Sequence, residues 1–237
     1  MNNEYIMNPR PGFRALPYRS GNIYNWFAKK MYDQTKKYAL ISKIIGQDKI
    51  VLDLPCGTGY LTRFLHPTTD YEGWDLNHRF LKKLLADFRR GRIKLKKIKL
   101  KQQNIFDFEN YPKKDTIVFC DILHHIFPKH IELVENAKKY ARKIIICEPI
   151  AIRPSNIKAR NRFFRFIIYF ARTLPEGLIK IIDFLFGDND GINSYNDRDG
   201  WRDHNEDSLK DLYESIGIFS NKIYRICDDL LGIWEEN

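Results

Sequence analysis

The stretch from Lys49 to Leu65, KIVLDLPCGTGYLTRFL, constrains the fold of this chain more than any other. Ile50, Val51, Leu52 and Leu54 form a short apolar run bounded by turn residues, the pattern of a buried strand. Pro55-Cys56-Gly57-Thr58-Gly59 closes the strand, and Tyr60, Leu61, Phe64 and Leu65 then repeat at helical spacing. A strand that passes through a glycine turn into a helix lets backbone N–H groups approach a ligand closely. Asp53 adds a carboxylate at the C-terminal end of that strand. The alternative is an ordinary strand–turn–helix corner with no ligand.

Further strands are expected at 71–77, in the latter half of 82–101, at 115–121 and at 143–147, each feeding a helix or a long crossover. Such an order implies a parallel sheet with right-handed connections. Two closing strands are expected at 220–227 and 230–234, after a helix over 208–216. Ligands of these sheets bind beyond the carboxyl ends of the strands. Asp53, Asp75, Asn104, Asp121 and Glu148 all fall there. The expected fold is therefore α/β, with the whole of 1–237 as one domain. Residues 1–20 read as a loop or mobile arm, 21–46 as a leading helix closed by Gly46, and 150–205 as a helical insertion after the fifth strand.

The dinucleotide fingerprint needs a third small residue after G-x-G, where this chain has Thr62. Asp53 with the turn through Gly59 instead resembles motif I of the class I S-adenosylmethionine-dependent methyltransferases, close to V-L-D-x-G-C-G-T-G, with Pro55 in place of the first glycine. The segment Ile122-Leu123-His124-His125 is similar to the post-strand segment of that family. The resemblance spans about Lys49 to Glu148. It implies a Rossmann-like, seven-stranded, mostly parallel sheet and S-adenosylmethionine as cofactor. Asp53, Pro55, Cys56, Gly57, Thr58 and Gly59 would face the methionine end, Asp75 and Leu76 the ribose, and Asn104 and Ile105 the adenine, with Cys120 and Asp121 on the remaining strand end. Asp75 follows Gly57 by 18 residues, near the spacing for a ribose-binding carboxylate, although it could instead cap the helix over 79–89.

His124 and His125 are the candidate bases, because imidazole titrates near neutrality; a structural role is the alternative for each. Glu148 and His204 are weaker candidates. The D-P-P-Y and N-P-P-Y forms typical of many methyltransferases acting on base amines are absent, which counts against a nucleobase amine, and the acceptor is expected to be a small or lipid-like molecule methylated at oxygen. An RNA methyltransferase and a non-catalytic, cofactor-binding scaffold are the other readings.

Net charge is +10, which favours an anionic contact without choosing one. Residues 82–101 hold ten lysines and arginines, either a solvated sheet edge or a patch for RNA or membrane. In the insertion, 162–172 and 178–186 read as two apolar helices, a lid that lines the acceptor pocket or meets a bilayer surface through 160–186, or else a helical cap or dimer contact. No run of apolar residues is long enough to be a signal peptide or a membrane span, so a cytoplasmic location is expected. The four cysteines share no C-x-x-C spacing, and the loop at 187–207 lacks calcium-loop spacing, so no metal is assigned.

Overall fold

The computed structural model describes residues 14–31, 34–150, 174–187, 189–191 and 205–236. Its centre is a seven-stranded sheet of β1 (Ile50–Asp53), β2 (Asp70–Trp74), β3 (Ile98–Lys101), β4 (Lys114–Cys120), β5 (Ala141–Pro149), β6 (Ile223–Ile226) and β7 (Asp229–Glu235). The strand order is β3-β2-β1-β4-β5-β7-β6. β1 to β5 run parallel, while β7 is antiparallel to both β5 and β6. The helices are α1 (Gly21–Met31), α2 (Thr35–Ile45), α3 (His78–Arg89), α4 (His130–Ala137), α5 (Glu176–Phe186) and α6 (Glu206–Ser215).

Side chains alternate across a strand, so each strand serves two cores. Leu52, Trp74, Ile117, Phe119, Ile144 and Ile146 pack with Leu133 and Val134 of α4 and with Leu209 and Tyr213 of α6. Val51, Tyr71, Val118, Ile145 and Cys147 pack with Ile41 and Ile45 of α2 and with Leu81 and Leu84 of α3. Covering both faces is what central parallel strands require, and it explains the unbroken apolar run Ile144–Ile146.

Three local expectations are corrected. No α-helix follows the glycine turn: only a 3-10 turn at Leu61–Arg63 forms. His66-Pro67 stops the helix, because the residue before a proline is driven out of the α region, and β2 begins at Asp70. β3 is shorter than the alternation suggests. Ile93 and Leu95 are buried outside the ladder, and pairing with β2 begins at Ile98, just past the slip at Lys96-Lys97. The leading segment is two helices, α1 and α2, rather than one.

Residues 14–20 are packed. Ala15 is fully buried, its N–H donates to Asn189 O at 2.9 Å, and Pro17 is buried in a 3-10 turn. The second insertion helix is α5; the first, expected at 162–172, lies outside the described residues. Cys56, Cys120, Cys147 and Cys227 are all free thiols. No helix among the described residues is long and apolar enough to cross a membrane.

The basic run over 82–101 has a structural component. Lys83, Arg63 and Arg92 surround the buried Asp87, and Lys99, Lys101 and Lys114 surround the buried Glu72. Four of its ten cations are thus held against carboxylates buried on α3 and β2.

Candidate active site

β1 carries Leu54 to a cis peptide with Pro55, and the chain then turns back on itself. Cys56 N–H donates to Trp74 O at 2.8 Å and Gly59 N–H to Cys56 O at 2.8 Å, fixing the turn against the end of β2. Gly57 and Gly59 have φ of +53° and +72°, the left-handed region that glycine occupies without strain. A Cβ on Gly57 would meet nothing, whereas one on Gly59 would collide with Leu84.

Beyond this turn lies an open cleft at the carboxyl ends of the strands. Pro55, Cys56, Gly57, Thr58, Asp75, Leu76, Asn104, Ile105, Cys120, Asp121 and His125 line it, so most of the residues singled out in the sequence converge. Asp53, Gly59, His124 and Glu148 do not line it.

Asp53 sits below the turn, buried, accepting a 2.8 Å hydrogen bond from the Tyr71 hydroxyl. Burial pushes its carboxyl up to about 7, against that hydrogen bond and with help from Asp75. It supports the turn from beneath.

Asp75 faces the cleft. Its Oδ2 accepts from Gly57 N–H at 2.9 Å and its Oδ1 from Asn77 N–H at 2.6 Å. Asn77, not Asp75, caps α3, accepting from Arg79 N–H at 3.2 Å. With the cap supplied by its neighbour, Asp75 keeps the outer lone pair of each oxygen for a ligand. Burial raises it to about 6, partly offset by the two N–H donors and reinforced by Asp190.

At the other end, Asn104 turns its Oδ1 to Phe106 N–H at 3.0 Å. Asp121 has a left-handed backbone, with φ +53°, and both its oxygens receive Lys37 Nζ at 2.9 Å. Lys37 is itself buried and also reaches Asp229 Oδ1 at 3.2 Å. Burial alone would depress this lysine, but Asp121 and Asp229 hold it well above its usual range. Asp229 is raised to about 6, chiefly by burial.

Glu148 is consumed by the 3-10 turn at Leu123–His125. Its Oε1 accepts from Ile122 and Leu123 N–H at 2.8 and 2.9 Å, and its Oε2 lies 2.7 Å from His124 Nδ1. Burial would raise this carboxyl, but His124 and the backbone donors hold it below its ordinary value. The two histidines are thereby separated in role. His124 is turned to Glu148, while His125 looks into the cleft with its ring centroid 4.2 Å from that of His124. His204 lies outside the described residues.

Several lining residues were missed by the sequence reading. Tyr18, Tyr24 and Phe80 form an aromatic group that lines the cleft, with centroids 4.9 to 6.0 Å apart. Asn25 of α1 accepts from the Thr58 hydroxyl at 2.5 Å, and Asp190 enters from the loop after α5. The Lys37 position could have been found: it shares a helical stripe with Ile41 and Ile45, a lysine where a core residue is due. Asp190, in a loop dense in Asn and Asp, carried no such signal.

The pH dependence of folding follows from these carboxyls. Asp53, Asp75 and Asp229 are raised in the folded state, so the folded chain holds protons that the unfolded chain releases. Their contribution therefore grows as pH falls from about 7 towards the ordinary carboxylate range near 4. Glu72 is lowered to about 2, the Trp74 N–H, Lys114 and Lys101 together outweighing burial, and its contribution is lost only as pH falls below the ordinary value. Thermal stability should peak near pH 5, with Tm several degrees above that at pH 8. A Tm that rises steadily from pH 5 to 8 would contradict this.

The cleft fits an adenosylated sulfonium compound: an open glycine face, a strand-end carboxylate with spare lone pairs, and an aromatic lining. Residues 52–143 match the model of a methyltransferase domain. No curated protein matches the chain. Among solved structures, an O-methyltransferase family protein from Burkholderia thailandensis aligns with TM-score 0.57 and 14% identity, over 91% of this chain and 59% of that one. A SAM dependent methyltransferase from Aquifex aeolicus aligns with TM-score 0.56 and 12% identity, over 92% and 96%. Magnesium protoporphyrin IX methyltransferase from Synechocystis PCC 6803, with bound SAH, aligns with TM-score 0.54 and 10% identity, over 91% and 95%. The chain spans 59% of the length of the Burkholderia protein, so that protein's activity is not transferred with its fold. With residues 52–143 matching a methyltransferase domain, the sheet order β3-β2-β1-β4-β5-β7-β6 is the Rossmann-like fold of these solved methyltransferases.

Proposed function

We propose that this chain transfers a methyl group to an uncharged or cationic acceptor, small or lipid-like, at an oxygen atom. The observation that carries the reading is Asp75, facing the cleft beside the Gly57 N–H with a lone pair of each oxygen unspent. Two adjacent ribose hydroxyls can donate to those lone pairs. Gly57 and Thr58 would hold the methionine end, and Leu76, Ile105 and Phe106 the adenine ring.

S-adenosylmethionine, the cofactor of this reading, would supply a methyl carbon already activated by a positive sulfur. The chain aligns the acceptor with it, excludes water and removes a proton where the acceptor is a hydroxyl. His125 is the group for that proton, because it is the histidine that faces the cleft. Glu148 and His124 serve by holding the 122–125 turn.

Two features support the acceptor class. Asp75, Asp121 and Asp190 line the cleft of an otherwise basic protein, and carboxylates repel a phosphate-bearing substrate. α5 exposes Leu178, Ile181, Ile182 and Phe186 beside the 16–19 turn, which exposes Leu16, a surface suited to an apolar acceptor or the lipid that carries it.

Calorimetry with S-adenosylhomocysteine tests the reading. The intact protein should bind it, and Asp75→Ala should weaken binding by about 30-fold or more, the loss of two charge-assisted hydrogen bonds. Binding that survives the substitution unchanged would exclude this role for Asp75.

A further inference from the structure

His125 is buried and lines the cleft, and its Nδ1 lies 3.2 Å from Asp190 Oδ2. Asp190 is buried too, and lines the same cleft from the loop that follows α5. We infer that Asp190 is the positioning residue of a His–Asp pair, fixing the Nδ1–H tautomer of His125 so that Nε2 is presented to the acceptor. The inference rests on the function proposed above.

The chemistry follows from what each atom can do. An ionised carboxylate only accepts hydrogen bonds, so an imidazole nitrogen facing it is best protonated. In neutral imidazole that leaves the lone pair on Nε2, the form a base requires. His125 Nε2 would take the hydroxyl proton as the oxygen's electron pair forms the new bond to the methyl carbon and the carbon–sulfur pair stays on sulfur. The products are a methylated oxygen, a neutral thioether and an imidazolium, which Asp190 stabilises until it gives the proton to water. At 3.2 Å the contact is an ion-pair approach rather than a short hydrogen bond. Such contacts commonly tighten only when substrate is bound.

The loop is held in place for this task. Asn189 O accepts from Ala15 N–H at 2.9 Å, and Asn189 Oδ1 accepts from Gly191 N–H at 3.1 Å. The surrounding charges are Asp75, whose carboxyl Asp190 raises, Arg14 beside Asp75, and Asp121 with its partner Lys37. His124, next to His125, is held by Glu148. Asp190 is thus the carboxylate placed beside Nδ1 of the ring.

The test reads the tautomer directly. Imidazole 15N–1H correlation spectra of the intact, ligand-free protein, with the His125 signals assigned by their loss in His125→Gln, should show the neutral ring protonated on Nδ1 at pH 8. In Asp190→Asn that preference should fall to a mixture of both forms, and Asp190→Glu should restore it in part. A ring protonated mainly on Nε2 in the unsubstituted protein, or a tautomer unmoved in Asp190→Asn, would overturn the inference. The first of these readouts needs no Asp190 variant to fold. Calorimetry of the unsubstituted protein with S-adenosylhomocysteine is run alongside. Failure to bind there strikes the methyl-transfer reading itself, whereas binding with the wrong tautomer strikes the Asp190 inference alone.

Discussion

Replacing Lys37 with methionine is expected to lower the free energy of unfolding by about 3–5 kcal/mol at pH 8, the cost of breaking a buried ion cluster from one side. The ammonium is almost wholly enclosed and stands 2.9 Å from both oxygens of Asp121 and 3.2 Å from Asp229. Methionine fills the volume, but it strands two carboxylates at the ends of β4 and β7. The loss should shrink as pH falls. Asp229 is already raised to about 6 with the lysine present; without it the folded chain binds protons still more tightly than the unfolded chain, and lowering pH then favours the fold. Asp229→Asn in the same background should recover part of the loss by removing one stranded charge. Urea unfolding at pH 5 and pH 8 decides the matter. A deficit below about 1 kcal/mol at pH 8, or one that grows at pH 5, would show that the cluster contributes nothing of this kind.

Gly59→Ala is expected to cost about 2–5 kcal/mol and Gly57→Ala only about 1 kcal/mol, although the two glycines are neighbours in one turn. Both have positive φ, so both substitutions carry the left-handed strain of a residue with a Cβ. The difference lies in the space. At Gly59 the new methyl would run into Leu84, with Cδ2 at 2.7 Å and Cγ at 2.9 Å, and Leu84 is fully buried in the core under α3. At Gly57 the methyl would meet nothing within 4 Å. Gly57→Ala should therefore fold well, and its effect should appear in cofactor affinity, since its Cβ would stand on the open face of the turn. Chemical denaturation of the two variants side by side checks this; equal losses would mean that Leu84 yields freely.

Much of this fold could be read in advance because its signals were local. The apolar runs at Ile50–Leu54 and Ile144–Ile146 and the glycine turn each announced themselves within a few residues, and the order of strands followed from their connections. What escaped depended on neighbours distant in the chain. Tyr60, Phe64 and Leu65 have helical spacing, yet the chain lacks room before Pro67 to complete a helix, and the rings pack against Tyr38 instead. Asp75 had two readings, cap or ribose ligand, and only the placement of Asn77 as the cap separates them. Glu148 belonged on the rim by its place in the strand. Its carboxylate is instead drawn under the 122–124 backbone, where unsatisfied N–H groups are the stronger claim. The lysines of 82–101 looked like one surface until Glu72 and Asp87 were seen to need several of them.

The cover of the cleft is made from two stretches far apart in sequence, residues 14–20 and 189–191, joined by the bond from Ala15 N–H to Asn189 O and tied down through Arg14, Asn77 and Tyr18. Besides these polar contacts the cover has the burial of Ala15 and Pro17 and the packing of Tyr18 on Tyr24 and Phe80, whereas the platform beneath is held by two larger apolar cores. Parting the cover therefore takes a small fraction of the free energy that separates the native chain from the denatured one. Ligand exchange can then proceed through a local excursion, with the sheet and its carboxylates left in register throughout.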